Sequence, residues 1–125
     1  AAPLLVPLVE EDWLDHEATR VVLHTYLDPM LERGMDTLLL ACTHYPLLIP
    51  ALRRLLGESV RLVDSATTCA AHVRHLLESR ALLAHDGTPG KLELCLTDLS
   101  EQFETLARRF LGSRLPRVRR VSLGT

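Results

Sequence analysis

Apolar and polar residues along this chain are grouped into segments that predict helices and strands in alternation. Over residues 14–33 the apolar positions recur at the spacing of one helix face, and Gly34 is placed to end that helix. Residues 35–41 follow as a short strand with the apolar run Leu-Leu-Leu-Ala at 38–41, which is typical of a strand buried on both faces of a parallel sheet. A second helix is predicted over 46–56, with Gly57 as its left-handed cap.

The alternation continues toward the C-terminus. Residues 60–63 predict another strand, and Asp64 and Ser65 supply the cap of a helix over 66–83. Residues 91–96 and 117–123 alternate like strands, the latter at an edge, and a helix that Gly112 ends lies between them. This order of elements favours an α/β fold with a layered, mostly parallel sheet and flanking helices.

Two segments do not fit this alternation of helices and strands. Residues 3–9 are apolar but contain two prolines, so we expect an extended or edge segment before the acidic pair Glu10 and Glu11. Residues 85–90 concentrate Gly, Pro and Asp and predict a linker. We therefore divide the chain into a lobe over 1–84, the linker, and a strand–helix–strand return segment over 91–125.

Composition excludes several classes of function. The 125 residues are 47% hydrophobic and 24% charged, as in an ordinary globular domain, and the net charge of -2 gives no sign of a nucleic-acid partner. No apolar run approaches the roughly 20 residues needed to span a bilayer, so no membrane partner is expected. Three scattered cysteines do not make a disulfide framework and favour a reducing, cytoplasmic setting. Because the chain begins with Ala1, we interpret it as a processed product or a piece of something longer.

One basic cluster lies near the C-terminal end. We expect it to be a solvated surface flanking the edge strand, with an anion site as the alternative. Its members are Arg114, Arg117, Arg119 and Arg120.

The residues that suggest chemistry follow the strand predicted over 35–41. Cys42, Thr43 and His44 precede Pro46, which opens a helix-compatible run, so the segment predicts a strand-to-helix elbow. In open α/β sheets, ligands bind beyond the carboxyl ends of strands, where the next helix offers unpaired N–H groups and a partial positive charge. Such a position stabilises a thiolate, the reactive form of cysteine. A buried strand-end cysteine and a histidine bonded to backbone are the structural alternatives.

The elbow lies within a longer pattern. The run DTLLLACTHYPLL at 36–48, followed by VDSA at 63–66, resembles the second-cysteine region of the glutamate racemases. Residues 7–11, PLVEE, look like the PLxEE stretch of that family, and residues 94–112, which end in RFLG, are similar to its C-terminal return segment. The aspartate-specific relatives have Glu where this chain has His44, which favours the glutamate branch.

The resemblance implies a cofactor-independent racemase with two α/β lobes, which interconverts L- and D-glutamate for peptidoglycan synthesis. One cysteine from each lobe flanks the α-carbon. Cys42 and His44 match the catalytic cysteine and histidine of one lobe, and Thr43 matches a residue that helps hold the substrate. Glu10, with Glu11 as the alternative, matches an acidic residue near the site; a solvated turn is the structural alternative for both.

The neighbouring residues Asp64 and Ser65 have two equal interpretations, support of the site and helix capping alone. Cys69 and Cys95 are expected to be small buried hydrophobes that do not replace the missing cysteine. Cys69 lies near His72 and His75, but without a fourth ligand no metal site is expected.

Two motifs of the family are absent from this sequence, Asp-Ser-Gly and the Ala-Cys-Asn-Thr motif that carries the first cysteine. The chain therefore resembles the C-terminal half, and we expect it to need the missing N-terminal lobe and to be inactive alone. The alternative is an idle remnant or fragment whose exposed half-interface pairs with itself, as a homodimer.

Overall fold

The computed structural model describes residues 2–84, 87, 89–112 and 115–124, without the side chains of residues 101 and 102. The chain divides into two compact units, unit 1 (Ala1–Leu83) and unit 2 (Ala84–Thr125). Residues 85, 86 and 88 of the predicted linker lie outside the described residues.

Unit 1 contains four α-helices and a pair of strands. The helices are α1 (Leu5–Glu10), α2 (Glu17–Leu31), α3 (Ile49–Leu56) and α4 (Ser65–Ser79), and the strands are β1 (Thr37–Leu40) and β2 (Arg61–Asp64). A 3₁₀ turn over Tyr45–Leu48 precedes α3. Unit 2 contains β3 (Leu94–Leu96), α5 (Glu101–Leu111) and β4 (Val118–Arg120).

Both strand pairs are parallel. Thr37 of β1 is opposite Arg61 of β2 and Leu40 is opposite Asp64, while Leu94 of β3 is opposite Val118 of β4. Each pair is connected through a helix, as parallel strands require. The predicted α/β class with parallel strands is confirmed.

The core of unit 1 is built from residues at helical spacing. On α2, Leu23 and Leu27 are buried one turn apart, and on α3, Leu52 and Leu56 repeat that spacing. Each fully buried side chain of this kind stabilises the fold by about 1.5–3 kcal/mol. The complete cluster is Leu5, Val9, Leu23, Leu27, Leu40, Leu48, Leu52, Leu56 and Val60.

The N-terminal segment is helical, so the predicted extended conformation of residues 3–9 is wrong. Pro3 precedes α1, and Pro7 is the third residue of that helix. The first-turn N–H groups of a helix have no intrahelical acceptor, so a proline there removes no hydrogen bond. Leu5 and Val9, one turn apart, are buried, and this apolar face holds α1 in unit 1.

Helix boundaries differ from prediction where local capping decides them. Helix α2 begins at Glu17 because the His16 side chain accepts the N–H of Ala18. Helix α4 ends at Ser79, short of the predicted residue 83, and Ala81 just beyond it has a φ of 53°. The predicted cap at Asp64 is confirmed, since its Oδ1 accepts the N–H of Thr67 at 2.7 Å.

The glycines after α3 and α5 end those helices as predicted, but not in the left-handed helical conformation. Gly57 has φ 62° and ψ -150°, and Gly112 has φ 59° and ψ -138°. That combination of positive φ and strongly negative ψ is nearly exclusive to glycine. The strands of unit 2 are shorter than the predicted 91–96 and 117–123.

Strand β1 is not buried on both faces. Leu40 is 3% exposed, whereas Leu39 is 64% exposed. Within the described residues β1 is paired with β2 alone. The apolar run in the sequence therefore does not indicate how much of the strand other elements cover.

The buried positions predicted for two cysteines are also wrong, since Cys69 and Cys95 are both exposed. Cys69 lies on α4, a helix without any buried residue in the described part of the chain. Trp13 is 44% exposed, and its ring stacks against His16 with the ring centroids 4.4 Å apart. The described helices include none long and apolar enough to cross a membrane.

Candidate active site

The predicted site residues meet at the carboxyl edge of the β1–β2 pair. Leu40, the last residue of β1, is opposite Asp64, the last residue of β2. Cys42 follows β1 by two residues, and Ser65 follows β2 directly. Parallel strands thus bring both loops to one edge, where α/β proteins bind ligands.

The elbow after β1 is tighter than the sequence predicts. The carbonyl of Cys42 accepts the N–H of Tyr45 at 3.2 Å, and the carbonyl of His44 accepts the N–H of Leu47 at 3.1 Å. These bonds form the 3₁₀ turn, so α3 starts only at Ile49. The side chains of residues 42–44 are therefore presented from a compact turn and not from the first turn of an α-helix.

His44 lies between the sulfur of Cys42 and a carboxylate. The Cys42 Sγ lies 3.9 Å from His44 Nδ1, and His44 Nε2 lies 3.6 Å from an oxygen of Glu10. The hydroxyl of Thr43 is 3.4 Å from the same Nδ1. Cys42 is half-buried and the His44 side chain is 21% exposed, so the ring is sheltered while the sulfur remains reachable.

Helix α1 is the element that places the carboxylate. Glu10 is its last residue, and buried Leu5 and Val9 fix the helix in the core of unit 1. Of the two adjacent acidic residues, Glu10 approaches His44, whereas Glu11 is an exposed residue that caps the helix. The segment whose conformation was predicted wrongly therefore carries a predicted site residue to its place.

Tyr45 is a residue near the site that the sequence did not single out. Its hydroxyl donates to the carbonyl of Ala2 at 3.4 Å, which connects the elbow to the segment before α1. Burial raises the pKa of Tyr45, and the negative charges that Cys42 and Tyr26 carry when ionised raise it further. The phenol therefore stays protonated. The sequence feature that could have identified Tyr45 is its position, as a bulky aromatic residue within the motif.

Asp64 acts as a helix cap at the same edge of the sheet. Hydrogen bonds from Thr67, chiefly from its backbone N–H, lower the pKa of the Asp64 carboxyl. The hydroxyl of Thr68 donates to the Asp64 carbonyl at 2.8 Å. Ser65 is exposed as the first residue of α4. Capping accounts for these contacts of Asp64.

The cluster of arginines belongs to unit 2. Arg119 donates to Glu93 at 3.0 Å and to the sulfur of Cys95 at 3.5 Å, and these two neighbours raise the pKa of Arg119. Arg120 donates to the carbonyl of Thr97 at 3.3 Å. Arg119 and Arg120 lie in strand β4, and Arg114 lies outside the described residues. Across the part of the chain that the structure describes, there is no group of three side chains suited to hold a metal ion.

Comparison with known proteins finds similarity over almost the whole chain. A glutamate racemase from Neisseria meningitidis is 47% identical over 124 residues, which are 99% of this chain and 46% of that protein. Another, from Syntrophus aciditrophicus, is 45% identical over 98% of this chain and 46% of its own length. The crystal structure of the Thermus thermophilus glutamate racemase in complex with beta-chloro-D-alanine matches with a TM-score of 0.82 at 39% identity, covering 98% of this chain and 46% of that one. No family model matches the chain.

Fold and sequence together thus relate this chain to the amino-acid racemases, a class of isomerases. Within that class its relatives are glutamate racemases, so the resemblance predicted from the motifs is confirmed. The chain spans about half the length of the curated relatives it matches.

Proposed function

We propose that this chain supplies one of the two catalytic faces of a glutamate racemase. The thiolate of Cys42 removes the α-proton of glutamate from one side, and a thiol of the N-terminal lobe donates a proton from the other side. The two sulfurs exchange roles in the reverse direction, so the reaction inverts the α-carbon without a cofactor. In this proposal the enzyme is cytoplasmic and provides D-glutamate for peptidoglycan.

The observation that supports this role is the line from Glu10 through His44 to Cys42. The sulfur lies 3.9 Å from His44 Nδ1, and the carboxylate lies 3.6 Å from Nε2 on the opposite side of the ring. In our proposal Glu10 orients the ring, and Nδ1 faces the sulfur where the proton is exchanged. A thiolate suits this task because the α-proton of an amino acid is weakly acidic and needs a strong, well-positioned base.

The remaining residues at the sheet edge are proposed to hold the substrate. Thr43 is exposed beside His44, with its hydroxyl available to a substrate carboxylate. Ser65 begins α4 next to Asp64, and the first N–H groups of a helix favour a bound carboxylate. We propose that Asp64 supports the site indirectly by fixing the start of α4.

Proton exchange tests this proposal directly. The isolated 125 residues should incorporate negligible deuterium into the α-position of L- or D-glutamate, because one sulfur is missing. Co-expression with the part of the Neisseria meningitidis racemase that this chain does not match should restore racemisation. Cys42→Ala should then lower kcat by about 10²–10⁴-fold, the usual contribution of a positioned acid or base.

Cys69→Ala is the matched control, because it removes an exposed sulfur of the same unit. It should leave racemisation within about twofold of the parent complex, as most surface substitutions do. Turnover by the isolated chain would refute the half-site. Equal losses in the two alanine variants would refute the role of Cys42.

A second candidate is favoured by the exposure of Leu39 on an uncovered strand. In this alternative the chain is catalytically idle and pairs with itself as a homodimer. Sedimentation equilibrium of the isolated chain would show a concentration-dependent dimer in this case.

A further inference from the structure

The basic residues near the C-terminal end line a cavity in unit 2. The cavity has a volume of about 680 Å³, within the range of small-molecule sites, and it lies where β3 and β4 begin. Its charged lining consists of four cations and one carboxylate, namely Lys91, Arg117, Arg119, Arg120 and Glu93. The whole chain has a net charge of -2, so this positive charge is concentrated locally.

Arg119 is held in place by two neighbours on the adjoining strand segment. Its Nε donates to the Glu93 carboxylate at 3.0 Å, and its Nη2 donates to the sulfur of Cys95 at 3.5 Å. The strand register places Cys95 directly opposite Arg119. A guanidinium has five N–H groups, so Arg119 can donate to a ligand while both contacts persist. Its orientation is therefore fixed before any ligand binds.

The other cations of the cavity lack a compensating carboxylate. Among the side chains that the structure describes, the ion pair at this cavity joins Arg119 to Glu93, and neither Lys91 nor Arg117 has a carboxylate partner. Arg120 donates its Nε to the carbonyl of Thr97 at 3.3 Å, which leaves its positive charge uncompensated. Like charges in one cavity repel each other, and a bound anion relieves that repulsion.

The composition of the cavity indicates the class of anion. Guanidinium groups match phosphate oxygens with two parallel hydrogen bonds, and several cations together favour a ligand with more than one negative charge. Leu92, Pro116 and Val118 add apolar lining that can contact an organic group. We propose that this cavity binds a small phosphorylated anion with at least two negative charges, which Lys91, Arg117 and Arg119 hold. This inference is independent of the proposed function.

The position of the cavity distinguishes it from a substrate site on the same strands. Open α/β sheets bind their substrates beyond the carboxyl ends of the strands. This cavity is lined by residues that precede β3 and β4, together with residues of β4 itself, so it lies toward the opposite ends. A nucleic acid fits less well, because it requires an extended basic surface and these cations converge on one cavity.

Isothermal titration of the complete chain with inorganic pyrophosphate tests the proposal. We expect saturable binding at one site with a Kd below about 1 mM at physiological ionic strength. Citrate, which carries several negative charges on carboxylates, should bind at least about fivefold more weakly, because it does not offer phosphate geometry. In the amide spectrum, pyrophosphate should shift the N–H signals of Glu93 and Arg117 and leave that of Leu38 in unit 1 unchanged.

Three substitutions of exposed arginines separate specific contact from net charge. Arg117→Gln should weaken pyrophosphate binding by at least about tenfold, since it removes charged hydrogen bonds. Arg117→Lys keeps the charge without the planar fork, and its Kd should lie between those of the parent and Arg117→Gln. Arg33→Gln removes the same charge from an exposed position of unit 1 and should change the Kd by less than about twofold. Far-UV circular dichroism confirms that each variant is folded.

Every outcome bears on the proposal. Binding that Arg117→Gln weakens and Arg33→Gln leaves intact would support it. Absence of saturation, equal losses in these two variants, or equal affinity for citrate would overturn it, and so would tighter binding of duplex DNA at the same phosphate concentration. Because the measurement is binding and not racemisation, a negative result would leave the proposed function standing.

Discussion

The two units of this chain contain the same strand–helix–strand motif with very different degrees of burial. In unit 1 the motif is β1–α3–β2, and in unit 2 it is β3–α5–β4, each with parallel strands. Gly57 and Gly112 end the two helices with nearly the same backbone angles. Nine buried apolar residues hold the first motif, whereas Ala107 is the only buried residue among those described in the second.

This difference shows that local sequence signals are sufficient to form the strand–helix–strand motif. A core of its own requires further elements that bury its apolar residues. In unit 1, α1 and α2 supply Leu5, Val9, Leu23 and Leu27 to the cluster. In unit 2 the described helix is α5 alone, and Leu99 and Phe110 remain 42% and 44% exposed. A motif of this size buries too little apolar surface to be stable by itself. We therefore expect unit 2 to be the less stable of the two.

Truncation of one leucine in each unit should give the largest contrast. Leu48 is 1% exposed, so Leu48→Ala leaves a cavity and should lower the free energy of unfolding of unit 1 by about 2–5 kcal/mol. Leu99→Ala in unit 2 should change the free energy of unfolding by less than about 0.5 kcal/mol. Urea denaturation followed by far-UV circular dichroism measures both. A Leu99→Ala loss as large as that of Leu48→Ala would mean that the units share one core.

Alanine at the two helix-ending glycines should give an intermediate effect. Apart from the chain neighbours, no atom of the described residues would lie within 4 Å of a Cβ at Gly57 or Gly112, so the cost is conformational and not steric. Gly57→Ala should destabilise unit 1 by about 1–3 kcal/mol, the usual cost of such backbone strain. Gly112→Ala should shorten α5 and leave the unfolding of unit 1 unchanged. If denaturation shows no loss for Gly57→Ala, the backbone angles at this position are not required.

Acid should have the smallest effect, and it should distinguish the two helix caps. Asp64 caps α4, and its pKa lies below the ordinary value of 3.8, so its contribution is present above that value and is lost as the pH falls through the lowered pKa. Ser100 caps α5 by accepting the N–H of Phe103 at 3.1 Å, and its hydroxyl does not titrate in this range.

Amide chemical shifts measured from pH 6 to pH 2 follow the two helix starts separately. The first turn of α4 should fray only as the pH falls below 3.8 and through the lowered pKa of Asp64, and the start of α5 should not. Asp64→Asn keeps a capping side chain and should remove the pH dependence. Equal fraying of both helices would show that titration of Asp64 is not its cause.

Much of the site was predictable because its residues are adjacent in sequence. Cys42, Thr43 and His44 lie within one motif. Residues that follow a strand directly lie at the edge of the sheet formed by the carboxyl ends of its strands. Glu10 is identified through resemblance, but its approach to His44 is not predictable in the same way, because the prolines at positions 3 and 7 favour an extended segment over a helix. Both prolines are compatible with the start of a helix.

The exposure of particular residues was the part that the sequence did not predict. Leu39 and Cys69 lie in apolar surroundings in the sequence, which favours burial, yet both are exposed. Burial depends on the elements that pack over a strand or helix. A local sequence pattern does not show whether those elements are present. Leu40 of the same strand is buried because it belongs to the core cluster that also contains residues of α1, α2 and α3.

The position of Trp13 gives the molecule an optical property of practical value. It is the single tryptophan of the chain, its ring lies against His16, and its carbonyl accepts the hydroxyl of Thr19 at the start of α2. Indole emission therefore reports on unit 1 and not on unit 2. A fluorimeter then monitors the first unit alone, while dichroism averages both, and any gap between their melting curves separates the two unfolding events.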